Sequence, residues 1–342
     1  MTCRELFYLG PEGTFTHQAA MEAADRLRPA VGGGADAGDA AVADGFDLVA
    51  LPDVPSIMDA VQSGRGWGVI AWENNVEGYV VPNLDALIDA TDIAGFARVR
   101  VDVTFDAFAV AGDDPLHRSG DDPVVVSAHP HGLAQCRRFI ADHGLRAVPA
   151  SSNAAACRDL KPGRIAFGPH ICGELYGLDT LAERVQDFDG AHTEFLVLAR
   201  RDEVRDLSRR FREDAIGEFE TIITLIPLIT GPGVLANMLD VMRDAGLNMT
   251  SFMSRPIKGT DGTYSFIATL DAAPWEPRFR TLLETFATHG IWLKTLAVYP
   301  RRDRPSPPVE AWRLPEGGVH LDAMRIEPDW EHTNKVGREL LW

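Results

Sequence analysis

Three short stretches of this sequence hold the residue types that anion binding and proton transfer require. The first is Tyr8-Leu9-Gly10-Pro11-Glu12-Gly13-Thr14-Phe15-Thr16, where two glycines and a hydroxyl residue stand between an apolar run and a helical pattern. Backbone N–H groups at such a helix start, with the positive end of the helix dipole, hold a carboxylate well, so Gly13 and Thr14 are candidate contacts. The second is Glu73-Asn74-Asn75-Val76-Glu77-Gly78, in which Asn74 and Asn75 offer amide donors and acceptors beside two carboxylates. Standing alone, such a cluster also reads as a capped turn. The third is Ala191-His192-Thr193-Glu194-Phe195-Leu196-Val197, which sets a hydroxyl and a carboxyl side by side. His129 and His131 are spaced i, i+2 without a Cys, Asp or Glu set around them, so neither a metal site nor a cofactor is expected.

The whole chain limits what these stretches can serve. At 342 residues and 45% hydrophobic composition it can bury more than one core, and about two domains are expected. A formal net charge of -17 argues against nucleic-acid binding, which needs clustered Lys and Arg, and means that any anion site must be local. The start, Met1-Thr2-Cys3-Arg4-Glu5, lacks the basic stretch and apolar run of a secretory signal, and no window approaches a membrane span, so a cytoplasmic location is expected. Cys3, Cys136, Cys157 and Cys172 lie far apart and read as reduced thiols.

The elements that must position the candidate residues follow an α/β alternation. A strand over Leu6–Leu9, a turn at Gly10–Gly13, a helix from about Thr14 to Leu27 and a strand near Leu48–Leu51 open the chain. Apolar runs at Gly68–Trp72, Val99–Phe105, Ala107–Ala111 and Val124–Ser127, with helices over Pro82–Ala90 and Gly132–His143, continue it, and two α/β lobes are expected within 1–200. A charged linker, 201–218, precedes a different pattern over 219–300. There, strand Phe219–Leu228, helix Gly233–Ala245, strands Asn248–Ile257 and Thr263–Leu270, helix Glu276–His289 and strand Ile291–Tyr299 give the βαββαβ order of an α+β ferredoxin-like unit. Residues 301–342 read as a proline-rich linker and a tail.

Taken in order, these motifs resemble the prephenate dehydratases that carry a C-terminal ACT domain. The likeness covers about residues 6–300 and includes Tyr176-Gly177-Leu178 and Val185-Gln186-Asp187 ahead of Thr193-Glu194-Phe195. It implies a two-lobed catalytic region resembling periplasmic binding proteins, with Gly13, Thr14, Asn74, Asn75 and Phe195 at the substrate and the counterpart of Thr193 essential. Gly231-Pro232-Gly233-Val234-Leu235 and Ser254-Arg255-Pro256 resemble the signatures of ACT domains that bind phenylalanine at a dimer interface, although Val234 and Met253 depart from that pattern. Gly233, Val234, Leu235, Ser254, Arg255 and Pro256 are the implied effector contacts, and a homodimer or homotetramer is expected. A fused chorismate mutase is not.

The departures cluster inside the motifs. The family's Thr-Arg-Phe reads Thr193-Glu194-Phe195, its Pro-Ile-Glu-Asn-Ser reads Ala71-Trp72-Glu73-Asn74-Asn75, its Ser-His-Pro-Gln reads Ala128-His129-Pro130-His131, and the Thr-Ala after it reads Ser152-Asn153. A carboxylate in place of a guanidinium would repel doubly anionic prephenate. The expected activity is therefore that of the dehydratase-like prephenate decarboxylases of antibiotic and natural-product pathways, which release carbon dioxide, retain the ring hydroxyl and protonate a ring carbon. Glu194, its pKa raised in an apolar cleft, or His131 would be the donor. Two other readings stay open: an ordinary phenylalanine-regulated dehydratase whose missing cation comes from Arg137, Arg138 or Arg184, and an inactive ligand-binding sensor. Glu194 could instead form an ion pair at the cleft rim.

Overall fold

The computed structural model describes residues 4–31, 45–117, 122–213, 217–259 and 262–301, with isolated positions in the tail. Residues 1–301 form one compact unit and 302–342 another, so the expected linker and tail fall mostly outside the described residues. No described helix is long and apolar enough to cross a membrane.

The first lobe is built from β1 (Arg4–Leu9), α1 (Phe15–Val31), β2 (Phe46–Leu51), α2 (Val54–Gln62), β3 (Gly66–Asn74), β4 (Gly78–Tyr79), α3 (Val81–Asp89) and β5 (Ile93–Asp102). β1 lies between β2 and β3 in parallel register, with Leu6, Phe7 and Tyr8 all buried, as a strand covered on both faces must be. Asp53 starts α2 by accepting the Ser56 N–H at 2.8 Å.

The chain then crosses into a second lobe made of β6 (Asp106–Val110), β7 (Val125–Ala128), α4 (Pro130–Gln135), α5 (Arg137–Asp142), β8 (Arg146–Pro149), α6 (Asn153–Arg158), β9 (Arg164–Gly168), α7 (Ile171–Tyr176) and β10 (Leu178–Ala182). Its five strands run in the order β10-β6-β9-β7-β8. The helix expected over Gly132–His143 is broken in two at Cys136. The cause is distant in sequence: Asp187 accepts the N–H groups of Arg137 and Arg138, both at 2.9 Å, and so begins a new helix there.

The chain returns through β11 (His192–Arg200), which inserts between β3 and β5 and completes the two-lobed, periplasmic-binding-protein-like plan. The segment expected as a charged linker begins as α8 (Arg201–Glu213), which buries Val204, Leu207 and Ser208. Then come β12 (Phe219–Pro227), α9 (Val234–Asp244), β13 (Met249–Pro256), β14 (Tyr264–Leu270), α10 (Pro277–Thr288) and β15 (Ile291–Pro300). Their sheet order, β13-β14-β12-β15, is ferredoxin-like, as the sequence pattern led us to expect.

This unit does not hang from the first lobe by a tether. β15 pairs with β5, so one ten-stranded sheet runs through both. Ile222, Ile267, Leu296 and Tyr299 share a core with Ile57, Leu84 and Leu198 of the first lobe. The junction depends on Gly95, where an added Cβ would stand 2.8 Å from the Ala297 Cβ. Replacing Gly95 by Val is expected to cost about 1–3 kcal/mol, the usual penalty for overpacking, read as a lower denaturation midpoint. An unchanged midpoint would mean that the two strands are not in close contact.

Candidate active site between the two lobes

Parallel strands of both lobes end toward each other, which is where open α/β sheets place ligands. β1 and the turn after it deliver Leu9, Gly10 and Thr14, β7 delivers His129, the chain after β8 delivers Ser151 to Asn153, and β9 delivers Pro169. Together they line a cavity of about 230 Å³ that also touches Phe15 and Thr16. Thr14 caps α1: its hydroxyl donates to the Pro11 carbonyl at 3.0 Å and accepts the His17 N–H at 3.2 Å. The first turn of α1, a helix of 17 residues, therefore points its positive end into the cavity, where an anion is stabilised.

Gly13 serves the turn rather than the ligand. Its N–H donates to His17 Nδ1 at 3.1 Å, and its carbonyl accepts from the Cys172 thiol at 3.3 Å. With φ at +82° and Tyr176 Oη 3.1 Å from where a Cβ would stand, only glycine fits. The Tyr176 hydroxyl donates to the Glu12 carbonyl at 2.7 Å, so the second lobe braces the turn of the first. Burial pulls the His17 imidazole down against a weaker pull from Glu12, which keeps Nδ1 an acceptor. Because the unfolded chain binds the proton more readily, stability is expected to fall as pH drops below about 6.5, the ordinary histidine value. Urea titrations at a series of pH values should show that slope flattened in His17→Gln; an equal slope in both proteins would remove the assignment.

On the second lobe the His129 N–H donates to Asn153 Oδ1 at 2.9 Å. Gly132 makes the room, since a Cβ there would lie 2.6 Å from that oxygen. Burial and the neighbouring His131 push the His129 imidazole down, with Glu77 opposing them. His131 is exposed at the mouth, with Nδ1 3.2 Å from Glu77 Oε2, and does not line the cavity.

Thr193 and Asn74 meet at the same edge of the first lobe. Asn74 Oδ1 accepts the backbone N–H groups of Val76 and Glu77 at 2.9 and 3.0 Å, which fixes the amide so that Nδ2 donates to Thr193 Oγ1 at 3.0 Å. The hydroxyl oxygen thus accepts from Asn74 and its proton is left to donate elsewhere. Asn75 is used structurally: it donates to the Gly190 carbonyl and accepts the His192 N–H. Phe195 is buried in the core among Tyr8, Phe96 and Val197, so its part is packing rather than substrate contact.

Glu194, expected beside Thr193 in the cleft, lies on the opposite face of the sheet. Its carboxylate is 3.2 Å from Arg98, whose guanidinium also lies 3.2 Å from Glu220 and over the Tyr299 ring. Burial acts to lower the Arg98 pKa, but Tyr299, Glu194 and Glu220 outweigh it and hold the cation firmly charged. Glu73 shares the site; burial pushes its carboxyl up, Arg98 pulls against that and Glu194 adds to it. The arginines considered as replacement anchors are engaged elsewhere in two cases: Arg138 donates to the Asp187 carbonyl and Arg184 to Asp189. No arginine or lysine is among the described residues lining the cavity.

The implied effector residues fall into separate places. Gly233, at φ +85°, starts α9 followed by Val234 and Leu235, whereas Ser254, Arg255 and Pro256 close the edge strand β13. Arg255 is held by Asp85 of α3 at 3.0 Å. In the second lobe, His129, Ser151, Ser152, Asn153 and Pro169 line the cavity although none was a candidate contact in the sequence reading. Their shared signal is position, each just past the end of a parallel strand in the second lobe.

Residues 6–203 match the family model described as prephenate dehydratase. A prephenate dehydratase of Mycolicibacterium vanbaalenii is 32% identical over 266 residues, covering 76% of this chain and 79% of its own. The bifunctional chorismate mutase/prephenate dehydratase of Aquifex aeolicus is 27% identical over 303 residues, covering 86% and 73%. Among solved structures, the prephenate dehydratase of Arthrobacter aurescens in complex with L-Phe matches with a TM-score of 0.68 at 28% identity, over 89% of this chain and 92% of that one. A quorum-quenching acylase, GqqA, has a TM-score of 0.68 at 22% identity, over 87% and 98%, a likeness of fold alone. The cavity is lined by part of the first motif and by the second lobe, and Asn74, Asn75 and Thr193 are not among its described lining residues. With more than half the chain matched, this protein belongs to the prephenate dehydratase family.

Proposed function

We propose that this chain converts prephenate to phenylpyruvate, the dehydratase reaction, in the interlobe cleft. The observation that carries this reading is the placement of Thr193 and Glu194 on opposite faces of β11. The hydroxyl is oriented by Asn74, while the carboxylate is paired with Arg98 on the other face of the sheet. A Glu194 whose charge is paired with Arg98 does not repel the dianion, so its presence does not argue against ordinary dehydratase chemistry.

In that chemistry a substrate carboxylate rests on the first turn of α1, with Ser151, Ser152 and Asn153 facing it from the other lobe. The ring carboxylate leaves as carbon dioxide, its bonding electrons pass through the diene, and the ring hydroxyl departs as water with a proton passed through the Thr193 hydroxyl, which takes one from solvent in the same step. Aromatisation drives the step, so the protein must mainly orient the substrate and supply one proton. The relatives named prephenate dehydratase support this reading.

A second reading, non-aromatising decarboxylation, is favoured by one observation: the cavity contains His129 and no arginine or lysine among its described lining residues, and a histidine could deliver the proton to a ring carbon instead. Incubation of the pure protein with prephenate separates the two. Phenylpyruvate absorbance appearing without acid supports dehydration; a product that keeps the hydroxyl and yields no phenylpyruvate sinks it in favour of decarboxylation. The L-Phe complex of the Arthrobacter aurescens protein supports phenylalanine as effector of the ferredoxin-like unit, which we read as an ACT domain of an oligomeric enzyme acting through Gly233 to Leu235 and Ser254 to Pro256.

A further inference from the structure

We propose that the groove between α8 and the ferredoxin-like unit is a second ligand site, for an aromatic carboxylate that carries no ammonium group. A cavity of about 310 Å³ lies there, away from both the interlobe cleft and the Gly233 and Ser254 regions. One wall is cationic, with Arg201, Arg205, Arg209 and Arg212 from α8. The ferredoxin-like unit lines the cavity with Pro274, Trp275 and Val298, mostly apolar, and Thr295.

The sorting of charge on α8 is the first argument. The four arginines recur at spacings of three and four residues and therefore share one face. The acids of the same helix, Asp202, Glu203, Asp206 and Glu213, are absent from the lining, and no described lining residue is acidic. Like charges at such spacings repel; Asp206 offsets Arg205 and Arg209 from the flank, 3.8 and 3.7 Å away, while Arg201 is drawn by Asp92 and donates to the Thr295 carbonyl at 2.6 Å. In a chain of net charge -17 this is a local concentration of positive charge that a bound anion would relieve.

The second argument is the apolar wall. Trp275, packed edge-on against Phe219 with ring centroids 4.9 Å apart, offers a flat surface to an aromatic body, while guanidiniums grip a carboxylate through two parallel N–H donors. An amino acid would leave its ammonium facing arginines with no acid to receive it, so an arylpyruvate fits and phenylalanine does not. Position gives the site a consequence: α8 begins where β11 ends, and β11 starts with His192 and Thr193. A ligand held between α8 and the loop before α10 would join the catalytic strand to the ferredoxin-like unit.

The test is calorimetry and tryptophan fluorescence on the full chain titrated with phenylpyruvate, with L-phenylalanine and inorganic phosphate as comparators. Arg205 and Arg209 are 73% and 62% exposed, so a triple variant Arg205→Gln, Arg209→Gln, Arg212→Gln should fold. The expected result is two phenylpyruvate sites in the native protein, one of them weakened on the order of tenfold or more in the triple variant, with loss of the Trp275 signal and unchanged turnover at saturating prephenate. The matching Arg→Lys triple variant should bind with intermediate strength, because it keeps charge and loses the fork. Identical titrations of native and Gln-variant protein would overturn the proposal, and so would phosphate or L-phenylalanine binding this groove as tightly as phenylpyruvate.

Discussion

Replacing Thr193 by Val should lower kcat on prephenate by about 10²–10³-fold while leaving the thermal midpoint close to that of the native protein, and Thr193→Ser should recover most of the rate. The magnitude is that of one positioned general acid. Valine keeps the shape of threonine, so the core beneath, where Phe195 and Val197 pack, is undisturbed. Serine keeps the oxygen that accepts from Asn74 Nδ2. KM should change less than kcat, because the hydroxyl acts on the leaving group while binding rests on the turn at Thr14 and on the opposite lobe. Steady-state kinetics of the three proteins, with circular dichroism to verify folding, decide the matter. A Thr193→Val rate within a few-fold of native would move the proton donor elsewhere, with His129 the next group to replace.

The second large effect is on stability. Glu194→Arg, which restores the residue type usual in the family, is expected to cost about 3–5 kcal/mol, the range for breaking a largely buried ion pair. The side chains of Glu194 and Arg98 are 13% and 27% exposed, so solvent screens them only partly. The variant would set two guanidiniums together and leave Glu73 and Glu220 to balance them. The double variant Glu194→Arg, Arg98→Glu should recover part of the loss, because the pair is reformed in reverse, although Glu73 and Glu220 would then face the new carboxylate. Urea denaturation of the two single variants and the double gives the coupling. Had Glu194 faced the substrate, Glu194→Arg would leave stability unchanged and act on KM alone; that outcome would refute the placement behind the sheet.

Much of the architecture was legible because its signals are local. The ferredoxin-like unit follows from alternating apolar residues in strands such as Phe219–Pro227 and from glycines at its turns, and those features act over neighbouring residues. The break at Cys136 was not legible, since the capping carboxylate, Asp187, lies about fifty positions away. Nor was the β5 to β15 junction, although Gly95 inside an apolar run was a sign that another backbone comes close.

Of the site, the sequence by itself determined the groups: a helix start after Gly13, an amide at Asn74, a hydroxyl at Thr193, and their order along an α/β chain. It also held the means to separate Thr193 from Glu194, because successive residues of a strand point to opposite faces. What each face packs against was decided only by the tertiary structure, where α1 covers Phe195 and Val197 on one face and Arg98, Glu220 and Tyr299 gather around Glu194 on the other. The physical reason is that periodicity fixes the angle between neighbouring side chains, whereas the partner of each face is chosen by residues on distant strands.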